Sequence, residues 1–422
     1  MSDQGIARDR QLDIIVYGAT GFVGALTAAY LAEHAPAGTR IALAGRSAAR
    51  LEATRAELGV DWPVVVADAT DEPKITELAE STHVVLTTVG PYAKYGRVLA
   101  HACAAAGTDY VDLTGEVLFA RASIDENDEL ARTTGARIVH SCGFDSIPSD
   151  LGVHVLHSLV QADGAGELTD TTLVVTMRGG FSGGTIDSMR HQLDVVKNDP
   201  ALRRLAASPY SLSPDRAREP DLGRQEDVLT LPGRAVDARL RGTLAPFAMA
   251  SYNTRVVRRS NALREWVYGR GFRYRELMSV GASPLSPVLA TGARLALGAL
   301  VLGLSLPPTR YVLDRVLPKP GDGPDAKSRE QGHFTMDIYT TTTTGARYQA
   351  RVKAKGDPGY AATAVMFGES ALALVHDRAA LPPSPGGVLT PATGLGDALV
   401  GRLRAAGVQI SARALGSSAT DG

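Results

Sequence analysis

The sequence has 422 residues, too many for one ordinary hydrophobic core, and this length predicts two domains. Hydrophobic residues make up 44% and charged residues 21%, a globular composition that excludes a disordered chain. The 44 lysine and arginine residues nearly balance the 45 aspartate and glutamate residues, and the net charge is −1. This balance offers no basic field to a nucleic acid and no acidic excess to a cationic partner.

The first 147 residues alternate short apolar runs with longer amphipathic ones, the pattern of repeated βα units. Near-continuous apolar strands of this kind belong in a parallel sheet that helices cover on both faces. The fold class expected is therefore α/β, with a doubly wound Rossmann domain at residues 1–147. The predicted strands are residues 12–17, 40–44, 64–67, 84–89, 110–113 and 137–141, and the predicted helices are residues 24–34, 48–58, 72–79, 97–106 and 124–134.

After residue 147 the regularity fades, and we expect a second, α+β substrate domain at residues 148–358. The predicted elements of this domain are a strand at 171–178, a glycine-rich turn at 179–184, a helix at 185–197, a long surface excursion at 209–234 and a β-hairpin at 332–355. Residues 359–422 are interpreted as a C-terminal segment that returns to the core, beginning with a helix at 359–376.

A glycine-rich turn, residues 18–24, separates the first strand from the first helix and reads Gly18, Ala19, Thr20, Gly21, Phe22, Val23, Gly24. Gly18 allows a tight turn, Gly21 lets the backbone approach a pyrophosphate, and Gly24 lets the helix pack close to the sheet. The helix N-terminus then offers N–H groups to the phosphates. This placement predicts a dinucleotide-binding site.

The end of the second strand favours NADP over NAD. An NAD site would place a carboxylate there for the ribose 2′-hydroxyl, whereas this sequence has Arg46 and Ser47, with Arg50 one turn later. A guanidinium at that position suits a 2′-phosphate. Asp68 closes the third strand and is interpreted either as an adenine contact or as the N-cap of the next helix.

Gly90 and Pro91 follow the fourth strand at the carboxyl edge of the sheet, where the nicotinamide half of the dinucleotide is expected to lie. Both are therefore predicted to be cofactor-binding residues.

Several motifs together resemble the saccharopine-dehydrogenase-like oxidoreductases, and within them the mycobacterial trans-acting enoyl reductases. The motifs are GATGFVG (18–24), LAGR (43–46), TTVGPY (87–92), DYVDLTGE (109–116), CGFDSIPSDLG (142–152), SGGT (182–185), NTRVVRRSNAL (253–263) and YTTTTTGARY (339–348). The resemblance covers nearly the whole chain. It implies NADPH-dependent reduction of an enoyl thioester made by a polyketide synthase, in the synthesis of phthiocerol or phenolphthiocerol lipids. The implied partner is an acyl carrier domain of that synthase.

Enoyl reduction requires a hydride for the β-carbon, a donor to the thioester carbonyl and a proton for the α-carbon. Tyr92 is the first candidate for the proton donor, and Asp145 is the second candidate catalytic residue. Both follow strands at the edge where the nicotinamide is expected. Tyr95 lies close to Tyr92 in the sequence and is a candidate of the same kind. Asp112, Thr114, Glu116 and Ser146 also lie at that edge. Loop capping and turn formation are the alternative roles for the aspartate and serine residues, Asp145 included.

Two other activities remain open for the same scaffold. One is reduction of a different carbonyl or imine substrate, and the other is a redox-silent NADP-binding scaffold for a lipid-synthesis complex.

Cysteines and histidines indicate neither a metal centre nor a disulfide framework. Cys103 and Cys142 lie far apart in no metal-ligand spacing, and Cys142 has no adjacent histidine to activate it. This cysteine usage fits a reducing cytoplasm. The polar N-terminus lacks the apolar core of a signal peptide, so we expect a cytoplasmic protein.

An apolar segment at 288–306 has enough residues to span a bilayer, but it contains Arg294 and three glycines. We interpret it as a helix that lies in the membrane surface or is buried in the core. The first alternative would place the protein peripherally at the inner membrane face.

Residues 255–275 carry seven arginines against Glu265, interleaved with four aromatic residues. Such a stretch could dock the acidic helices of an acyl carrier domain, with Arg258 and Arg259 at its centre. The alternative is that the arginines pair within the fold and the aromatic residues belong to the core. A homodimer is a second partner that the sequence leaves open.

Overall fold

The computed structural model describes residues 10–178, 183–316 and 332–416. Most of the predicted glycine-rich turn, residues 179–182, lies outside this described part. The described chain forms two seven-stranded sheets with helices packed around them. This confirms the predicted α/β fold with a Rossmann sheet followed by a second sheet.

The first sheet, called sheet A, is parallel at every described pairing, in the order β13-β6-β5-β4-β1-β2-β3. Its strands are β1 (Leu12–Tyr17), β2 (Ile41–Gly45), β3 (Val64–Val66), β4 (Thr82–Thr87), β5 (Asp109–Asp112), β6 (Arg137–Val139) and β13 (Gly387–Leu389). The helices between them are α1 (Phe22–His34), α2 (Ala48–Leu58), α3 (Glu72–Ser81), α4 (Tyr92–Ala106) and α5 (Val117–Thr134). The chain order reverses beside β1, so the carboxyl ends of β1 and β4 form the crevice in which such sheets bind ligands.

The strands of sheet A are apolar on both faces because helices cover both. Ile14 and Val16 of β1 point into one core cluster, and Ile15 and Tyr17 point into another on the opposite face. This explains why the sequence shows apolar runs rather than alternation.

Three helices of sheet A begin earlier than the sequence predicted, although α1 begins only two residues early, at Phe22. Helix α4 begins at Tyr92 rather than residue 97, and α5 begins at Val117 rather than residue 124. The cause in α4 is a cap from a distant position, since the Glu116 carboxylate accepts the backbone N–H groups of Tyr92 and Ala93 at 2.8 and 2.9 Å. Local sequence signals do not reveal such a cap.

The second sheet, called sheet B, has the order β14-β12-β11-β7-β10-β9-β8. Only β7 and β10 pair in parallel among its described strands. Its strands are β7 (Leu168–Arg178), β8 (Leu231–Pro232), β9 (Thr243–Pro246), β10 (Arg273–Ser279), β11 (His333–Thr342), β12 (Arg347–Lys355) and β14 (Gln409–Leu415). Strands β11 and β12 form the predicted hairpin, with Gly345 at φ +82° in its turn.

The remaining helices connect and cover the two sheets. They are α6 (Ile147–Ala162), α7 (Gly183–Asn198), α8 (Pro200–Ala207), α9 (Ala250–Leu263), α10 (Ser286–Ser305), α11 (Pro307–Val316), α12 (Ala361–His376), α13 (Pro391–Gly394) and α14 (Gly396–Ala405). Helix α6 packs on β12 and β14 of sheet B, whereas α12 packs on α1 and β4 of sheet A. The chain after residue 359 also adds one strand to each sheet, β13 to sheet A and β14 to sheet B.

Candidate active site

The glycine-rich turn has the close packing that a dinucleotide site requires. Gly18 adopts φ +91°, and a Cβ there would lie 2.7 Å from Thr88 Oγ1. A Cβ on Gly24 would lie 2.1 Å from the Gly18 carbonyl oxygen, so α1 can approach the turn only with glycine at this position. A Cβ on Gly21 would meet only the Gly18 carbonyl oxygen, at 3.3 Å, which leaves space above the helix end.

The N-terminus of α1 is arranged to receive an anion. Its N-cap residue is Gly21, which has no side chain to cap the helix, and its backbone is extended. The N–H groups of Val23 and Gly24 therefore point toward the space above the turn, at the positive end of the helix dipole. Ala19 is buried beneath the turn, and Phe22 packs edge-on against Tyr360 at 4.9 Å between ring centroids.

Two guanidinium groups lie beside this turn. Arg50 extends from the first turn of α2 and donates to the Thr20 carbonyl oxygen at 3.1 Å. Arg46 is exposed immediately after β2, followed by the half-buried Ser47. The residues present therefore fit a phosphorylated dinucleotide, with the pyrophosphate on α1 and a 2′-phosphate near Arg46.

Asp68 does not serve as the N-cap of α3. Asp71 takes that role and accepts from Lys74 N at 3.3 Å. Asp68 instead accepts both the backbone N–H and the hydroxyl of Thr70, and these bonds, together with the Arg46 charge, hold its pKa below the usual range. The adenine contact remains a prediction.

The segment after β4 lies directly against the glycine-rich turn. The Thr88 hydroxyl donates to the Gly18 carbonyl oxygen at 3.2 Å. Gly90 is exposed next to it, and Pro91 is half-buried at the start of α4. The structure thus brings Gly90 and Pro91 to the same crevice as residues 18–24.

The hydroxyl of Tyr92 is used within the fold. It donates to the Thr87 carbonyl oxygen at 3.1 Å and accepts the Leu113 N–H at 3.2 Å, so it joins the ends of β4 and β5. Tyr92 is 5% exposed, and burial raises the pKa of its phenol well above the usual value. This geometry does not support the expectation that Tyr92 is the proton donor; it supports a positioning role.

Glu116 joins the same edge to helix α7. Besides capping α4, its Oε1 atom accepts the hydroxyl of Ser188 on α7 at 2.7 Å. The next backbone N–H, that of Val117, donates to Gln192 Oε1 at 3.0 Å. Both contacts hold α7 over the carboxyl edge of sheet A.

A buried hydrogen-bond network lies behind this edge. Asp112 accepts from the Tyr110 hydroxyl and the Ser141 N–H, and it contacts His140 Nδ1 at 2.7 Å. The Ser141 hydroxyl donates to the Thr114 carbonyl oxygen and lies 2.5 Å from the Tyr252 hydroxyl. Asp112 therefore has a structural role, in agreement with the capping alternative, and Thr114 and His140 also bond within the fold.

Asp145 differs from these residues because its carboxylate has no hydrogen-bond partner within residues 10–178, 183–316 and 332–416. Protein atoms surround it on most sides, although part of the residue remains accessible to solvent, and burial raises the pKa of this carboxyl to about 6. Asp145 follows β6 at the carboxyl edge of sheet A, and its charge acts on the buried phenols of Tyr92 and Tyr252. An unpaired carboxyl with this pKa is able to donate a proton near neutral pH.

The loop that carries Asp145 is held from two sides. A Cβ on Gly143 would lie 2.7 Å from Leu113 Cδ2, and the Phe144 N–H donates to Thr363 Oγ1 at 3.1 Å. The adjacent Ser146 hydroxyl bonds to Asn253 Oδ1 and is turned away from the crevice into the core. Asp145 is thus presented by a rigid loop.

The thiol of Cys142 is not available as a nucleophile at this edge. Cys142 is fully buried, and this burial raises the pKa of its thiol well above the usual value. Within the described ranges, no group of three His, Cys, Asp or Glu side chains is arranged to hold a metal ion.

The arginine-rich stretch is buried at its centre. Arg255, Arg258 and Arg259 on α9 are at most 5% exposed, and their guanidinium groups bind Asp227 and backbone carbonyl oxygens inside the fold. The interleaved aromatic residues are buried as well: Trp266, Tyr268, Phe272 and Tyr274. The expected docking face centred on Arg258 and Arg259 is therefore wrong, because both guanidinium groups are buried and donate to backbone carbonyl oxygens distant in sequence.

Sequence reasoning missed Tyr252 and Glu276. Tyr252 lies one residue before the NTRVVRRSNAL motif, which was the only sequence signal near it. Glu276 is buried on β10 and accepts from the Tyr274 hydroxyl at 2.8 Å and from Asn253 Nδ2 at 3.0 Å. Its place in an ordinary strand gave no indication of this environment.

Comparison with known families agrees with this geometry. Residues 14–137 match the model of the saccharopine dehydrogenase NADP-binding domain. The solved apo saccharopine dehydrogenase (L-Glu forming) of Saccharomyces cerevisiae covers 96% of this chain and all of its own, with a TM-score of 0.54 at 12% identity. That similarity shows a shared fold.

Sequence relatives match the chain almost from end to end. A trans-acting enoyl reductase of Mycobacterium bovis is 49% identical over 411 residues, which is 95% of this chain and 97% of the relative. One of Mycobacterium ulcerans is 50% identical over 418 residues, 96% of this chain and 99% of the relative. A protein of Mycobacterium tuberculosis is 53% identical over 423 residues, 97% of this chain and all of the relative. Its name assigns it the same activity provisionally.

Proposed function

The chain belongs to the saccharopine-dehydrogenase-like family of trans-acting enoyl reductases, and on this premise we propose that it reduces the carbon–carbon double bond of an enoyl thioester with NADPH. It is an NADP-dependent oxidoreductase whose sheet A binds the dinucleotide. The observation that carries the proposal is identity of about one residue in two over nearly the full length of relatives with this activity in their names.

The proposed roles follow from the crevice between β1 and β4. When bound, NADPH supplies the hydride for the β-carbon of the substrate. The backbone of residues 18–24 and the N-terminus of α1 hold the pyrophosphate, and Arg46 and Arg50 hold the 2′-phosphate side. Gly90 and Pro91 border the nicotinamide half.

We assign the proton for the α-carbon to Asp145. Its unpaired carboxyl and its pKa of about 6 suit a general acid, whereas the hydroxyl of Tyr92 already bonds to Thr87 and Leu113. Tyr92 and Glu116 act as positioning residues, because they fix the ends of β4 and β5 and the start of α4.

The substrate proposed is an enoyl intermediate of polyketide-derived lipid synthesis, of the phthiocerol or phenolphthiocerol type, presented by an acyl carrier domain. The family relationship supports this substrate, since the relatives reported above are mycobacterial and their names describe them as trans-acting enoyl reductases. The carrier docks elsewhere than on the buried arginines of α9.

Turnover with defined substrates tests the activity. The purified chain is mixed with NADPH and crotonyl-pantetheine, loss of NADPH absorbance is followed, and the product is identified by mass spectrometry. We expect a saturated thioester carrying two more hydrogen atoms. Gly24→Val is the negative control, because its side chain would collide with the Gly18 carbonyl and prevent cofactor binding.

Two results would contradict the proposal. Oxidation of NADPH only with ketone or imine substrates would assign the chain to another reduction on the same scaffold. Tight NADPH binding without turnover on any of these substrates would indicate a redox-silent scaffold.

A further inference from the structure

Helix α10 is apolar and yet exposed, which sets it apart from the other long helices of the described chain. Val288, Leu295 and Leu302 are 69%, 68% and 61% exposed. Only Ser286, Ala290 and Leu304 of its twenty residues are buried. The core alternative considered for this segment is therefore excluded by the structure. A contiguous exposed apolar surface of this kind marks an interaction site.

The exposed apolar side chains cover most of the circumference of α10. At about 100° per residue, Val288, Leu289, Leu295, Val301 and Leu302 span roughly 240° around the helix axis. The buried residues occupy the remaining stripe, which packs on β9 and α7. A helix that lies in a membrane surface buries its apolar side about 5–10 Å into the boundary between headgroups and acyl chains, and a fluid surface of this kind can follow a broad, curved apolar arc.

The charges around α10 suit an anionic surface. The helix contains no acidic residue, and its one charged residue, Arg294, is exposed at the flank of the apolar arc, where a long side chain can reach lipid headgroups. Lys197 of α7 donates to the Ser305 carbonyl oxygen at the C-terminal end of α10. Next along the chain, the Arg315 guanidinium stacks over the ring of Tyr311, which is 61% exposed. Aromatic and cationic side chains of this kind are typical of membrane interfaces.

Both ends of α10 are attached to the same side of the molecule. At the start, the Ser286 hydroxyl oxygen accepts the Thr243 N–H of β9 at 3.0 Å, and at the end Lys197 of α7 holds Ser305. α10 is long and apolar enough to cross a membrane. Because its two ends are tied to neighbouring elements of one body, the helix lies along that body rather than leading away from it.

We propose that α10 and Tyr311 form a membrane-binding surface that inserts the apolar arc of α10, parallel to the bilayer, into an anionic lipid surface. This inference is independent of the reaction proposed above. It concerns where the enzyme works, not which bond it reduces.

Vesicle co-sedimentation of the full chain tests the proposal. The probe vesicles are phosphatidylglycerol with phosphatidylcholine in one set and phosphatidylcholine alone in the other. We expect binding to the anionic vesicles, weaker binding to the neutral ones, and a loss of about tenfold or more in partitioning for L295D/L302D, since two exposed leucines lose their burial in lipid. V228D/V267D, which changes two other exposed apolar positions, is the matched control and should bind like the unmodified chain.

Unchanged NADPH affinity of L295D/L302D shows that the variant is folded. The proposal is overturned if the unmodified chain stays in the supernatant, if L295D/L302D partitions as well as the unmodified chain, or if neutral and anionic vesicles bind equally. It is also overturned if the chain forms a dimer that L295D/L302D disrupts while vesicles bind neither form, because the surface would then join two copies of the chain.

Discussion

Asp145 and Tyr92 lie at the same edge of sheet A, but their surroundings give them opposite properties. The hydroxyl of Tyr92 accepts the Leu113 N–H and donates its own proton to the Thr87 carbonyl oxygen, so that proton is already used in a hydrogen bond within the fold. The carboxyl of Asp145 is largely surrounded by protein and has no hydrogen-bond partner among the described residues, and this environment favours its protonated form. The contacts that a side chain makes therefore indicate its role in proton transfer better than its residue type does.

Asp145→Asn should abolish a pH dependence as well as lower turnover. Asp145 donates a proton only in its protonated form, so kcat/KM of the unmodified enzyme should fall as pH rises through about 6. The variant should lose about 10²–10⁴-fold in rate and show no fall in that range. The measurement is a pH–rate profile at saturating NADPH.

Tyr92→Phe is the contrasting variant for this experiment. It should retain the pH profile and lose about 1–3 kcal/mol of stability, because the Thr87 carbonyl and the Leu113 N–H lose their partner. A profile that disappears in Tyr92→Phe but persists in Asp145→Asn would reverse the two roles.

Arg46 should set the choice of cofactor. We expect NADPH to bind at least about tenfold more tightly than NADH, a difference of roughly 1.4 kcal/mol that one charge-assisted contact can supply. Arg46→Asp should invert the order, as measured by titration of both dinucleotides. Arg241→Asp, an exposed change on the sheet B side, is the control. Equal affinities for the unmodified chain would refute the assignment.

At the scale of elements, α9 shows how arginines can serve the interior of a fold. Burial lowers the pKa of Arg259 to about 10, and its guanidinium donates to the Leu212 carbonyl oxygen at 2.7 Å and to that of Val388 on β13. Arg258 donates to the Tyr274 carbonyl oxygen on β10. Helix α9 thereby connects sheet A with sheet B.

Charge reversal at Arg258 and Arg259 should therefore destabilise the protein rather than change substrate binding. Removing one buried charged partner typically costs about 3–5 kcal/mol, so R259E should lower the urea midpoint strongly or prevent folding. Arg273→Glu, at an exposed position of β10, should change stability by less than about 0.5 kcal/mol. A folded double variant with an altered Michaelis constant alone would restore the docking interpretation.

These elements also show which features can be read from the sequence. The βα units of sheet A follow from local apolar periodicity, and β1 has the predicted bounds, Leu12–Tyr17. The glycine-rich turn is equally local. The environment of Arg259 depends on Leu212 and Val388, which lie 47 and 129 residues away, and no count of neighbouring charges contains that information. Similarly, the length of α10 is a property of the sequence, whereas its exposure depends on what the rest of the chain leaves uncovered.

At the scale of the whole molecule, Glu276 is a buried acid between the sheets. It is fully surrounded by protein, contacts Asn253 of α9, and has a pKa that burial raises to about 7. Its pKa in the unfolded chain is near the ordinary 4.5. The protonated form is therefore favoured in the folded state, and its contribution to stability is complete below pH 4.5.

Stability should fall as pH rises from 4.5 through 7, because unfolding then releases the proton of Glu276. The loss is on the order of 3 kcal/mol for a fully buried group with this displacement of pKa. Burial also raises the pKa values of Asp145 and Asp150, to about 6, so these two acids add to the slope only below that pH. Glu276→Gln should therefore flatten the slope most clearly between pH 6 and 8, in urea-derived free energies of unfolding. Glu57→Gln, at an exposed position on α2, should keep the slope. A slope that persists in Glu276→Gln would assign it to other groups.

The distribution of β13 and β14 has a consequence for synthesis on the ribosome. The edge of sheet A at β6 is covered only when Gly387–Leu389 arrives, and the edge of sheet B at β12 only when Gln409–Leu415 arrives. A nascent chain that has completed every other strand still lacks the strands that pair with β6 and β12. Strand edges without their partners are sites at which unfinished chains aggregate. Both sheets are therefore completed only after the C-terminal residues of β13 and β14 have been translated. A premature stop codon near residue 380 should yield insoluble product rather than a smaller working enzyme.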